Sequence, residues 1–372
     1  MQIKPFRIEE YYARHEFSTQ YMLSSSDAES RSIGELLSLE EDALERFLAH
    51  RCGYTEYPGA PWLRADLANI YNAITPDDVL VLSSAEEGIF VFYHAILKPG
   101  DHIIVETPCY ESAVEVARST GAQVSEWRRR HENGWAHDVD ALARLIQPNT
   151  RVIYINTPHN PTGITMPRNI FERVVDLARE RGILLFCDEV YRELEHNPAG
   201  RLPAACDIYE HAISMGSVSK TYGLPGLRLG WLATRDASIV QRCLDFKNYT
   251  TICNSAPSEF LTALAMRHRA KLADRNLGII RGNLPLLEAF FHERQDMFEW
   301  VRPNASTIGF ALFKRDVDSM AFCQEAIARA GVLLLPGAVY DEPRHIRFGF
   351  GRTNMPEALE RLRAHLGGAA VR

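Results

Sequence analysis

Lysine is scarce in this 372-residue chain. Six of its 41 basic residues are lysines, namely Lys4, Lys98, Lys220, Lys247, Lys271 and Lys314, and the rest are arginines. Chemistry that needs a primary amine therefore has six candidate positions. Positive charge is also short: 48 acidic residues give a formal net charge of -7, which argues against the concentrated basic surface that nucleic acid requires. The seven cysteines are odd in number, scattered and without a Cys-x-x-Cys pair, so no disulfide framework is expected and a reducing compartment is the better reading. Long apolar runs are missing too; residues 182–187 fall far short of the ~18 that suggest a membrane span. The first ten residues carry acid where a signal peptide needs an apolar stretch. The expectation is a soluble, cytoplasmic protein with no metal centre, no internal repeat and no low-complexity tract.

What is present is enough apolar material for a core, with 46% hydrophobic and 24% charged residues. At ~100–200 residues per domain, the length suggests two or three domains. Short aliphatic runs alternate with turns and helical patterns. Residues 79–82 precede Ser83-Ser84 and an apolar helix through Ile96, and residues 102–105 precede a helix over about 111–119. Residues 151–155 precede a proline-rich turn and an amphipathic helix over about 167–181. Ile170, Val174 and Leu177 share one face of that helix, and Gly182 suits its end. Residues 183–187 then read as a buried strand. This alternation predicts an α/β fold with a mostly parallel sheet between helices. Beyond about residue 255 the pattern becomes a long helical stretch, broken or kinked near Gly278 or Gly282. Strands at 308–313, 332–335 and 345–350 and helices at 319–330 and 356–366 follow. The expected division is a large domain over 45–270 and a smaller α+β domain from 1–44 with 271–372.

Ligands of an open parallel sheet sit beyond the carboxyl ends of its strands, so the residues after each strand matter most. Ser84, Ala85 and Glu86 follow the first and open a helix, where free N–H groups make an anion site; a plain N-cap explains them equally. Tyr110 follows the second, where a packed core tyrosine is the ordinary alternative. Asn160-Pro161-Thr162-Gly163 follows the third, a rigid turn that could aim a carboxamide or be purely structural. Asp188-Glu189-Val190-Tyr191 follows the fourth. A carboxylate directly after a buried strand is costly to desolvate unless a cation pairs with it. Next comes the stretch from Ser217 through Ser219 and Lys220 to Arg228. A lysine among hydroxyls and glycines, flanked by apolar runs, suits an enclosed amine of lowered pKa and raised nucleophilicity. Gly223, Gly226 and Gly230 do not form G-x-G-x-x-G, which discards a dinucleotide site.

This ordered set resembles the fold-type I pyridoxal-phosphate (PLP) enzymes, specifically the class I/II aminotransferases, over essentially the whole chain. The resemblance implies that Lys220 bonds covalently to PLP and later shuttles the proton at Cα. Asp188 would pair with the pyridinium nitrogen, Tyr191 and Asn160 would bond the phenolic oxygen, and Tyr110 would stack on the ring. Ser84, Ala85, Glu86, Ser217, Ser219 and Arg228 would hold the phosphate. Tyr54 matches the tyrosine that reaches a neighbouring subunit's phosphate, which implies a homodimer with shared active sites. Arg347 matches the arginine that clamps the substrate carboxylate, and Asn160 is a further substrate-binding candidate. Small-molecule amino acids and 2-oxo acids are the implied partners.

Two departures stand out. Ser84 replaces the family's usual glycine, and Glu86 puts a carboxylate beside the phosphate. Residues 23–36 replace a short Gly-rich stretch at the lip of the substrate pocket, and Ser26 and Asp27 there are further candidates for substrate contact. This lip, with Pro108-Cys109-Tyr110 and residues 222–227 and 331–337, is similar to the capreomycidine synthases, PLP cyclases that act on a hydroxylated arginine. An aminotransferase acting on an L-amino acid is the leading expectation, and a lyase or cyclase on an arginine-derived substrate is the alternative. In the latter, Asp27 and Glu29 would meet a cationic side chain. A PLP-binding module of a transcription regulator ranks third, for want of a basic helix-turn-helix segment.

Overall fold

The computed structural model describes residues 2–315 and 318–368. Among them, seven strands form one sheet in the order Val79–Leu82, Gly230–Ala233, Ala212–Ser217, Leu184–Asp188, Thr150–Asn156, His102–Thr107 and Gln123–Arg128. All neighbours pair in parallel except Gly230–Ala233, which runs antiparallel to both strands beside it. Alternation along each strand sends side chains to opposite faces. On one face Val105, Val152, Tyr154, Phe186 and Ile213 pack with Ile89, Phe92 and Tyr93 of the Ala85–Ile96 helix. On the other, Ile104, Ile153, Leu185 and Cys187 meet Phe171, Val174 and Val175 of the Arg168–Arg181 helix. Each fully buried aliphatic or aromatic side chain contributes roughly 1.5–3 kcal/mol, so both helices are fixed by the sheet they cover.

Helix ends follow local chemistry. Pro167 precedes the first turn of Arg168–Arg181, and Gly182, at φ 61, closes it in the left-handed conformation. Ser84 caps Ala85–Ile96 by accepting the Glu87 N–H on its side chain. The break expected near Gly278 or Gly282 is not there. A continuous helix runs from Arg269 to Glu293 through both glycines and Pro285, and the discontinuity falls at His268 instead. Leu277, Ile280, Leu284 and Leu287 recur at helical spacing and are buried, which outweighs the local penalties of glycine.

The later strands form a four-stranded antiparallel sheet in the order Leu335–Pro336, His345–Gly349, Ile308–Phe313 and Phe298–Trp300. The single strand expected over 332–335 is two short ones. Val332–Leu333 pairs in parallel with Tyr21–Met22, so the early chain is stitched to the late chain. From there residues 23–29 run across the mouth of the large sheet. Leu23 O accepts from Gly349 N at 2.9 Å, and Ala28 and Glu29 N–H groups donate to Lys220 O and Gly351 O. Gly349 permits this crossing, since a Cβ there would lie 2.3 Å from Ser25 O.

Candidate active site

A cavity of about 610 Å³ opens at the carboxyl ends of the parallel strands, where this topology places ligands. Ser84, Ala85 and Glu86 line it from the first turn, Tyr110 from the second and Asn160 from the third. Asp188 and Tyr191 enter after Leu184–Asp188, and Ser219, Lys220 and Arg228 after Ala212–Ser217. Ser26 and Asp27 come from the crossing segment. Three expected site residues stand elsewhere. The Ser217 hydroxyl turns to Ser219 Oγ at 2.8 Å and donates to Leu229 O at 3.1 Å. Arg347 lies behind the wall, and Tyr54 is 93% exposed on a loop away from the cavity.

Lys220 is partly buried, and its Nζ donates to Ser26 Oγ at 2.9 Å. Burial lowers its pKa, and no carboxylate lies within ion-pair distance of its amine among the described residues. Asp188 is the converse, a buried carboxylate with no ion pair. Its Oδ2 accepts from the Tyr154 hydroxyl at 3.0 Å and its Oδ1 from Val190 N–H at 3.1 Å. Burial pushes its pKa up to about 6 against the pull of those donors and of Lys220. Asn156 ties two turns together. Its carboxamide donates to Asp188 O at 2.9 Å and accepts from Asn160 N–H at 2.7 Å.

Arg347 is 1% exposed and has no acidic partner among the described residues. Its guanidinium donates only to neutral oxygens: Asn160 Oδ1 at 3.1 Å, Ser24 O at 2.9 Å, the Tyr12 hydroxyl at 2.6 Å and the Tyr340 hydroxyl. Its Nε has no partner. A buried cation without a counter-ion is a strongly unfavourable arrangement that an arriving carboxylate relieves.

The acids at the lip are already engaged. Asp27 accepts from Arg352 at 2.8 Å, and Glu29 accepts from Thr353 N–H and hydroxyl. Glu9 accepts from the Tyr110 hydroxyl, while Glu16 joins Glu9, Asp27 and Glu86 in the cavity wall. Tyr12, Tyr154, Tyr340 and Asn156 escaped the sequence reading. Tyr154 and Asn156 were legible in principle as polar tips two residues apart in an apolar strand. Tyr12 and Tyr340 carry no such local signal.

The residues fit PLP at four points. Asp188 offers a buried anion to a ring nitrogen, and Lys220 offers an amine free of carboxylate bonds. The Tyr191 side chain, 1% exposed, lines the same cavity. The N-terminus of Ala85–Ile96 supplies N–H groups for a phosphate. Gly230 allows this close packing, as a Cβ there would lie 2.6 Å from Ala85 N. Glu86 is the discordant element, a half-buried carboxyl whose pKa is pushed up to about 7 by desolvation.

The chain is similar to known proteins along most of its length. The family model described as aminotransferase class I and II matches residues 42–365. Capreomycidine synthase of Streptomyces vinaceus is 27% identical over 374 residues, covering 97% of this chain and 93% of that protein. A PLP-dependent aminotransferase from Streptococcus suis superposes with a TM-score of 0.94 at 29% identity, with all of both chains covered. The PLP-dependent cyclase OrfR gives a TM-score of 0.91 at 26% identity, covering 99% of this chain and 98% of its own.

Proposed function

The chain belongs to the class I and II aminotransferases and its cofactor is pyridoxal 5′-phosphate, and on that premise we propose that it moves an amino group from an L-amino acid to a 2-oxo acid. The observation that carries this reading is the facing pair of uncompensated groups, the Lys220 amine and the Asp188 carboxylate, in one cavity. When bound, PLP supplies an aldehyde for the substrate amine and a ring that accepts the electron pair left at Cα. Asp188 holds the ring nitrogen, Tyr191 and Asn160 hold the phenolic oxygen, and Tyr110 covers the ring. Ser84, Ala85, Ser219 and Arg228 hold the phosphate, with Arg228 suited by its planar fork. The Lys220 amine would take the proton from the substrate Cα, a general-base role typically worth ~10²–10⁴-fold. Arg347, bonded to Tyr12 and Asn160 of the cavity wall, would take the substrate carboxylate from behind them and so fix which bond at Cα faces the lysine. Tyr54, on an outward loop, serves a second copy of the chain in a homodimer. Seven free thiols suit a reducing, cytoplasmic setting.

A second reading is favoured by the wall itself, in which Glu9, Glu16, Asp27, Glu86 and Asp188 outnumber Lys220, Arg228 and Arg352. With Asp27 and Glu9 engaged, Glu16 is the acid of this wall that would meet a cationic side chain, and in that case a cyclisation on an arginine-derived amino acid competes with transfer. One experiment separates the two. Purified holoenzyme is offered arginine, hydroxylated arginine and a panel of other amino acids, with and without 2-oxo acids. Turnover that depends on an oxo acid supports transfer, whereas a cyclised product formed without one supports the alternative. Lys220→Ala should abolish either reaction and the absorbance change on adding substrate; a Lys220→Ala protein that turns over at the wild-type rate sinks both.

A further inference from the structure

Tyr154 lies in the centre of an apolar strand and is 1% exposed. In the parallel ladder Tyr154 is level with Phe186, and Asn156 with Asp188, so the four side chains share one face of the sheet. The Tyr154 ring stacks on Phe186 with centroids 5.7 Å apart and planes 18° from parallel. That packing locks the ring and aims its hydroxyl along the strand direction at Asp188 Oδ2, 3.0 Å away. With Val190 N–H on Oδ1, each carboxylate oxygen has one fixed donor. A cation in the place of Tyr154 would cancel the charge of Asp188 and compete with any ligand for it. A hydroxyl orients the carboxylate and favours its ionised form while leaving its charge available.

We infer that Tyr154 is a positioning residue which holds Asp188 oriented and ionised for the ring nitrogen of the cofactor. The inference rests on the reading of Asp188 as the partner of that nitrogen. The same core supplies its own control. Tyr93, on the Ala85–Ile96 helix, is fully buried and packs on the same Phe186 at 6.0 Å, yet its hydroxyl has no hydrogen-bond partner.

The test titrates apoprotein with PLP, and with the analogue in which carbon replaces the ring nitrogen, following the absorption band of the bound cofactor. Tyr154→Phe should raise the dissociation constant for PLP by ~10-fold to ~100-fold, the range for a buried hydrogen bond to a charged group. It should also shift the band, and both differences should vanish with the carbon analogue. Tyr93→Phe should stay within about twofold of wild type for both ligands, because it removes no hydrogen bond. Wild-type PLP affinity in Tyr154→Phe, equal losses with both ligands, equal losses in both variants, or an apoprotein that does not fold would each overturn the inference. Asp188→Asn separates the two levels. If it binds PLP as wild type does, the reading of Asp188 fails. If it loses PLP while Tyr154→Phe does not, only the role of Tyr154 fails.

Discussion

At the scale of single residues, this protein keeps two opposite charges buried and unpaired in one region. Asp188 and Arg347 each make hydrogen bonds only to neutral groups, so each is satisfied in direction and unsatisfied in charge. Glu86 adds a third case with a measurable sign. Its carboxyl, raised to about 7 by burial, is neutral below that pH and anionic above it. Facing a phosphate, the anionic form repels. PLP affinity of the wild type should therefore fall as pH rises through about 7, and Glu86→Gln should remove that component. Reconstitution of apoprotein at pH 6 and pH 8.5 should give similar constants at the lower pH and an advantage of about tenfold for Glu86→Gln at the higher one, one pKa unit of interaction. Parallel pH profiles would remove Glu86 from the phosphate site. The departure at Glu86 was visible in the sequence because the helix opening it sits on is a recurring anion site. The pairing of Arg347 with Tyr12, Tyr340 and Ser24 was not, since nothing local links those positions.

At the scale of elements, the large sheet was the most legible part of the chain. Its strands after residues 79, 102, 150, 184 and 212 are buried on both faces and so read as short unbroken apolar runs. The strand Gln123–Arg128 was missed because it lies at the sheet edge, half exposed, and its residues Gln, Ser, Glu and Arg read as a loop. The long helix was misread in the other direction. Gly278 and Gly282 have open space around them and weaken the helix only by propensity, whereas the buried leucines beside them hold it to its neighbours. The crossing segment depends on one close approach, and a substitution tests it. Gly349→Ala should destabilise the protein by about 1–3 kcal/mol through overpacking against Ser25. It should also weaken PLP binding, because the same segment delivers Ser26 to Lys220. Thermal melting of holo and apo forms measures both effects, and an unchanged holo melting temperature would show that the segment can move aside.

At the scale of the whole molecule, the loop that carries Tyr54 is rigidly built and points outward. Lys247, fully buried, donates to Tyr57 O at 2.6 Å, and Glu259 accepts from Ala60 N–H at 3.3 Å. Val81 N–H donates to Pro58 O at 2.8 Å. Burial lowers the pKa of Lys247 to about 8, and a lysine without an ion pair is an unfavourable way to brace a loop unless the loop has a task. Tyr249, 92% exposed, and Ile252 lie on the chain just beyond Lys247. If the task is to complete a second copy's site, mixing two defective proteins should restore function. Tyr54→Ala and Lys220→Ala chains, unfolded together and refolded, should form hybrid dimers in which one site carries both native residues. Activity above that of either parent is the expected result, and no gain over the parents would place Tyr54 outside the site.

The bond between Arg347 and the Tyr12 hydroxyl spans 335 positions of the chain, and that of Lys220 with Ser26 spans 194. A ribosome adds residues in order, so the early partner of each bond is made long before the late one emerges. The central sheet, complete by Ala233, can take shape while the pocket above it still lacks the buried Arg347 cation. Arg347 thus reaches the site only near the end of synthesis, and the nascent chain passes through a stage that is folded at its centre and unfinished at its rim.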